Sequence, residues 1–111
     1  LRISFKKSNR TLIVRIEGEL DHHTAVETRE QIDKEINKNN INKLIFDFEN
    51  LQFMDSSGIG VIIGRYKQIK GLDGKVAITN PNPQVERIIN ISGLHKIIPI
   101  FKSVQSAMDN M

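Results

Sequence analysis

Lys43-Leu44-Ile45-Phe46-Asp47-Phe48 is the stretch that decides the fold. Leu44, Ile45 and Phe46 are apolar without alternation, so both faces of the segment are buried. A strand covered on both faces suits the middle of a parallel sheet, because a strand with one wet face alternates. Asp47 departs from the run and belongs near the strand's C-terminal end. Next comes Asn50 to Gly60, read as a loop leading into a helix from about Ser57 to Lys70. Ile59, Ile62, Ile63, Tyr66 and Ile69 recur on one face of that helix. Gly58, Gly60 and Gly64 fall inside it, each costing ~1 kcal/mol relative to alanine. Gly60 and Gly64 lie four apart on one side, where their small size predicts close backbone approach.

Upstream, Thr11 to Gly18 is rich in β-branched residues and places Leu12, Val14 and Ile16 on one face of a strand. Ile3 and Phe5 alternate with Arg2, Ser4 and Lys6, and Ser8-Asn9-Arg10 supplies a turn. The chain therefore starts with a hairpin whose first strand is an edge guarded by lysines. Thr24 and Glu27 have the spacing of a capping box, with Asp21 as an alternative start. Ala25, Thr28 or Arg29, Ile32 and Ile36 make a narrow apolar stripe, and Asn37 to Asn40 ends the helix. Downstream, Lys75 to Thr79 is a strand. Asn82 and Pro83 open a helix that carries Val85, Ile88 and Ile89 and closes at Gly93. Ile97 to Phe101 is the last strand, placed at an edge by Pro99. Ser103 opens a final helix with Val104, Ala107 and Met108.

This order, β-β-α-β-α-β-α-β-α, predicts one α/β domain over residues 1–111. Its mixed sheet is mainly parallel, with an antiparallel N-terminal edge strand and helices mainly on one face. The 111 residues leave no room for a second domain, and 39% hydrophobic content supplies a core. The absence of cysteine removes disulfides, thiolate metal sites and a cysteine nucleophile. The first residues read as a strand with no signal-like segment, and no apolar run reaches the ~18–20 residues that cross a bilayer. The net charge of +3 is dispersed, no block of basic residues occurs, and a single tyrosine without tryptophan offers little base stacking. Direct nucleic-acid binding is not expected.

The unusual spot is Phe53-Met54-Asp55-Ser56-Ser57-Gly58-Ile59-Gly60, between a central strand and a helix N-terminus. Sites in open α/β sheets gather beyond the carboxyl ends of strands. A second polar cluster, Glu19-Leu20-Asp21-His22-His23-Thr24, follows the strand that ends near Glu17. If those strands are neighbours, both loops share one rim. A purely structural reading makes Ser56 and Ser57 N-cap candidates, with Asp55 accepting the same bonds. His22 and His23 lack an evident third metal ligand and read as loop residues, and His95 reads as a turn residue. Asp55, Ser56 and a histidine supply the residue types of a hydrolase triad. Ser56 lacks the G-x-S-x-G elbow, however, and the glycines fit neither a phosphate loop nor a dinucleotide fingerprint.

The Phe53–Gly60 stretch resembles the signature of the STAS family, the sulfate transporter and anti-sigma factor antagonist domains. Together with Gly18-Glu19-Leu20-Asp21-His22-His23-Thr24 and Gly64-Arg65-Tyr66-Lys67-Gln68-Ile69-Lys70, it is similar to the sporulation-type anti-sigma factor antagonists of that family. The resemblance covers nearly the whole chain and implies a phosphorylation-controlled binding module, not an enzyme. It implies that the unphosphorylated form binds an anti-sigma factor that is also a serine kinase, which frees a sporulation sigma factor. Phosphorylation then abolishes tight binding, and a metal-dependent serine phosphatase reverses it. The phosphorylated residue maps onto Ser56, while Asp21 and Asp55 match positions linked to partner recognition or phosphorylation. Asp21, His22, His23, Thr24, Asp55, Ser56, Ser57 and Gly58 are the expected contact set. No cofactor or metal is expected on this chain, since ATP, ADP and magnesium belong to the kinase and the metal to the phosphatase. The expected form is a cytoplasmic protein, monomeric when free. A stress-response sigma pathway, a transporter-derived domain and a small serine hydrolase are the alternatives.

Overall fold

A computed structural model describes residues 1–111. The chain runs β1 (Arg2–Ser8), β2 (Thr11–Leu20), α1 (Ala25–Asn39), β3 (Lys43–Asp47), β4 (Leu51–Met54), α2 (Ser56–Gly71), β5 (Lys75–Thr79) and α3 (Pro83–Ser92). A short 3₁₀ helix at Leu94–Lys96, β6 (Ile100–Phe101) and α4 (Val104–Asn110) complete it. The sheet order is β1-β2-β3-β5-β6, with β4 paired to β2 off this path. Only β1 is antiparallel to its neighbour; the other pairings are parallel. The mixed, mainly parallel sheet with an N-terminal edge strand is therefore as the sequence predicts.

The apolar pattern sorts the helices. Leu12, Val14 and Ile16 of β2 join Leu44 and Phe46 of β3 in the main core, together with Ile32 and Ile36 of α1, Ile62 and Ile69 of α2, and Val85 and Ile89 of α3. None of these side chains is more than 2% exposed, and burying one such chain stabilises the fold by about 1.5–3 kcal/mol. On the opposite sheet face Ile13, Ile45 and Ala77 form a small cluster with Ala107 of α4, flanked by partly buried Phe101, Val104, Met108 and Met111. Three helices thus cover one face and one short helix the other. Between α1 and α2, buried Arg65 places its Nε 2.9 Å from Asp33 Oδ1, an ion pair without hydrogen-bond geometry.

Asp47 ends β3 and is 1% exposed. Arg15 grips its Oδ2 through Nη2 at 3.0 Å and Nε at 3.2 Å. The amide of Glu49 and the side chains of Thr79 and Asn80 donate to Oδ1. The hydrogen bond and charge of Asp47 raise the Arg15 pKa above its ordinary value. A buried carboxylate interrupts the apolar run here because every lone-pair direction has a partner.

The position of the candidate site depends on β2 changing partners. Thr11 to Arg15 pair with β3, whereas Gly18 to Leu20 pair with β4, with a register shift between Gly18 and Glu19. Gly18 has φ +98°, a left-handed value that glycine accepts without strain, and its amide donates to Asn50 O at 3.0 Å. Leu20 lies opposite Met54, so the residues that follow each, Asp21 and Asp55, leave the sheet side by side.

Four expectations need correction. The segment expected as a loop from Asn50 to Gly60 contains β4. Its burial order is buried, exposed, exposed, buried, so it carries no period-two signal. The last strand shrinks to Ile100–Phe101, since Leu94–Lys96 forms a 3₁₀ turn and Pro99 has no amide to donate. The Thr24–Glu27 capping box does not form: Thr24 is the N-cap of α1, but its side chain makes no cap bond. Gly60 and Gly64 do not permit close packing within the fold, because a Cβ at either would meet nothing within 4 Å. The crowded glycines are Gly58, where a Cβ would collide with Met54 and lie 3.0 Å from Leu20 Cγ, and Gly74, where it would strike Asn42 O.

Candidate functional site

Asp55 organises the rim. As the N-cap of α2 it sits in extended conformation, and its Oδ1 accepts the Ser57 amide at 2.8 Å and the Gly58 amide at 3.4 Å. Its main-chain oxygen accepts from Gly58 and Ile59, and its own amide donates to Leu20 O at 3.3 Å. The other carboxylate oxygen, Oδ2, accepts the His22 amide at 3.3 Å from a loop 33 residues earlier. One side chain therefore caps the helix and joins the two predicted clusters. The cap is Asp55, which leaves Ser56 exposed as the first residue of α2 and Ser57 half-buried beneath it.

The second loop is held by Asp21. Its Oδ1 accepts the amides of His23 at 2.9 Å and Thr24 at 3.2 Å, and the Thr24 hydroxyl at 3.3 Å. Thr24 Oγ1 in turn accepts the Asp21 amide at 3.0 Å, and its single proton is shared between Asp21 Oδ1 and Glu19 O, the latter at 3.1 Å. Thr24 is drawn into this loop, which explains why it cannot also cap α1. Partial burial raises the Asp21 pKa, but the bonds from His23 and Thr24 together outweigh it and hold the carboxyl below the ordinary aspartate value. The carboxylate form thus keeps the loop closed.

His22 and His23 are exposed, with ring centroids 5.1 Å apart at an edge-on angle. Both enter the network through backbone amides, whereas a hydrolytic triad needs a ring nitrogen on the serine hydroxyl. No group of three or more His, Cys, Asp or Glu side chains is placed to hold a metal ion. Gly58 is buried at the base of the rim and fixes how closely α2 approaches Met54 and Leu20. The structure therefore gathers all eight predicted residues, from Asp21 to Thr24 and Asp55 to Gly58, at one end of the sheet.

Several neighbours escaped the sequence reading. Asn82 and Gln84, at the start of α3, bond the backbone of β4: Asn82 Nδ2 donates to Leu51 O at 2.9 Å, and Gln84 Oε1 accepts the Met54 amide at 3.4 Å. Phe53 and Val26 are large apolar residues left 37% and 55% exposed beside the rim. A groove of about 160 Å³ between α1 and α2 is lined by Ala25, Val26, Arg29, Ser57, Gly60 and Val61. Val26 carried a usable signal, an apolar residue lying off the buried stripe of α1. A larger groove of about 400 Å³ lies beneath α4 on the other sheet face, where Arg15 and Asp47 already neutralise one another.

Comparisons with known proteins place this geometry. The STAS domain family model matches residues 2–107. An anti-sigma F factor antagonist from Paenibacillus polymyxa is 43% identical over all 111 residues of this chain and 95% of its own length. The unphosphorylated structure of the anti-sigma factor antagonist SpoIIAA superposes with a TM-score of 0.85 at 31% identity, over 97% of this chain and 94% of that one. The phosphorylated structure of the Bacillus cell fate determinant SpoIIAA gives 0.76 at 30% identity, over 97% of both chains. No helix is long and apolar enough to cross a membrane. On its fold, its matched length and these identities, the chain belongs to the STAS domain family.

Proposed function

We propose that this protein is an anti-sigma factor antagonist of the sporulation type, switched off by phosphorylation of Ser56. In this reading the unphosphorylated rim, from Asp21 to Thr24 and Asp55 to Gly58, docks on an anti-sigma factor that is also a serine kinase, and the sigma factor is released. The kinase transfers the γ-phosphoryl group of ATP to Ser56 Oγ. The bond to the β-phosphate oxygen breaks, the hydroxyl proton passes to a base of the kinase, and ADP leaves. A metal-dependent phosphatase restores the serine. ATP, magnesium and the phosphatase metal are held by the partners, and all of this takes place in the cytoplasm with an antagonist that is monomeric when free.

The observation that carries the reading is the cap. A helix N-terminus ordinarily neutralises an anion with its free amides, but here Asp55 already occupies those of Ser57 and Gly58. A phosphate on Ser56 adds about −1.5 to −2 charges beside the Asp55 carboxylate and near Asp21. With those two amides taken, its charge is directed toward whatever docks on the rim. Release then follows from local charge and bulk at the contact, with the fold unchanged.

The phosphorylation site is the first test. Incubation with the anti-sigma factor and ATP, followed by peptide mapping, is expected to place one phosphate on exposed Ser56. A phosphate found mainly on half-buried Ser57 overturns the assignment.

A further inference from the structure

Gly60 and Gly64 weaken α2 without relieving any contact inside the protein. Glycine in a helix interior is less stable than alanine because it loses more backbone freedom on folding. Such a glycine is ordinarily explained by a neighbour that a Cβ would strike, yet at both positions the space is open. The explanation lies outside the fold.

The open side of Gly60 forms one wall of the groove between α1 and α2. Ser57 lines its upper end, so the groove is continuous with the rim around Ser56. Val26, 55% exposed, and buried Val61 supply apolar walls. Arg29 closes the lower end, is exposed, and takes part in none of the protein's four ion pairs. Below it, Arg65 adds a second positive charge, faced by Asp33. The groove therefore offers a small apolar slot ending on an uncompensated cation. A segment carrying one branched apolar side chain and a nearby carboxylate is complementary to it.

We propose that this groove is the second half of the anti-sigma factor's docking surface, taking an apolar side chain of that partner between Val26, Gly60 and Val61, with a partner carboxylate against Arg29. The proposal rests on the reading that the unphosphorylated protein binds an anti-sigma factor. Gly60 keeps this wall of α2 flat, so the partner's backbone can approach the helix. That role trades helix stability for contact and gives the two properties opposite signs on substitution.

The test is titration calorimetry of the parent, Gly60→Leu and Arg29→Glu against the anti-sigma F factor of the organism that encodes this chain, with ADP present. Thermal melts and sedimentation of each antagonist alone accompany it. Gly60→Leu is expected to melt no lower than the parent and to bind at least tenfold more weakly. Arg29→Glu is expected to bind at least tenfold more weakly and to remain folded, which keeps the test decisive if the leucine variant misfolds. Parent-like affinity of both variants, beside tight binding by the parent, overturns the groove assignment alone. Absence of binding by the parent overturns the underlying functional reading and the groove with it. A parent that sediments as a dimer, and becomes monomeric in Gly60→Leu, overturns the assignment by making a second copy of this chain the occupant.

Discussion

Asp55→Ala removes three hydrogen bonds at once, and their sum can be worked from the geometry. Loss of the N-cap, where Oδ1 accepts from Ser57 and Gly58, costs about 1 kcal/mol. Loss of the 3.3 Å bond from the His22 amide to Oδ2 removes a contact to a charged acceptor. Such bonds contribute roughly 1.5–3 kcal/mol, and the length and partial exposure of this one put it at the lower end. The expected destabilisation is about 2–3 kcal/mol by urea unfolding monitored by circular dichroism. Asp55→Asn separates the two parts. Its amide oxygen can still cap α2, but its NH₂ faces the His22 N–H with a donor against a donor, so about half of the loss should return. A further consequence follows from position: because Oδ2 bridges to the His22 loop, both variants should weaken partner binding by more than the shift in folded population explains. An Asp55→Ala variant within 0.5 kcal/mol of the parent, on the scale of an ordinary surface change, refutes the account of this residue as cap and bridge.

Glycine substitutions should divide by environment. Gly74→Ala drives a Cβ into Asn42 O, a backbone atom that cannot swing away, and should cost about 1–3 kcal/mol as overpacking. Gly64→Leu meets open space and should be as stable as the parent or more so; the reverse order in urea melts contradicts the packing described here. Asp21 should govern low-pH behaviour of its loop. Its folded pKa lies below the ordinary value, so its stabilising contribution is complete above the unfolded value of about 3.9 and is lost as pH falls through the folded pKa. Amide exchange or chemical shifts of His23 and Thr24 should therefore change below about pH 4 in the parent, and Asp21→Asn should abolish that transition. A transition that survives in Asp21→Asn assigns it to another group.

Much of the fold was legible because the strongest signals are buried on two sides. Leu44-Ile45-Phe46 could be read as central because parallel strands between helices have no wet face, and Leu12, Val14 and Ile16 because β2 has one strongly apolar face. β4 was hidden for the opposite reason. Leu51 and Met54 point into the core while Gln52 and Phe53 do not, and four residues without alternation look like loop. The glycine reading failed because spacing shows which side of a helix two residues share, but not what stands opposite. Gly58, one turn earlier, is the residue against which Met54 and Leu20 pack.

The site divides in the same way. Asp55 and Ser56 were legible in sequence as polar residues at a strand-to-helix junction, where an N-cap is expected, and the structure assigns that cap to Asp55, which leaves Ser56 exposed. The link between Asp55 and His22 is a contact across 33 residues, made possible by β2 switching from β3 to β4 at Gly18. Nothing local to either loop encodes that switch. Thr24 shows the same limit: its spacing to Glu27 suits a capping box, but its hydroxyl and amide are engaged by Asp21 in a closed loop of hydrogen bonds instead.

The central claim is that a single phosphate on Ser56 turns off binding without altering the fold. Its most direct test is titration calorimetry of the parent and of protein stoichiometrically phosphorylated at Ser56 against the purified anti-sigma factor with ADP, paired with circular-dichroism melts of both forms. An unpaired charge in a docked contact is expected to cost about 2–3 kcal/mol, which weakens binding roughly 30–150-fold, while the two melting curves coincide. Equal affinities for the two forms contradict the switch, and a phosphorylated form that melts far earlier makes Ser56 a structural residue instead.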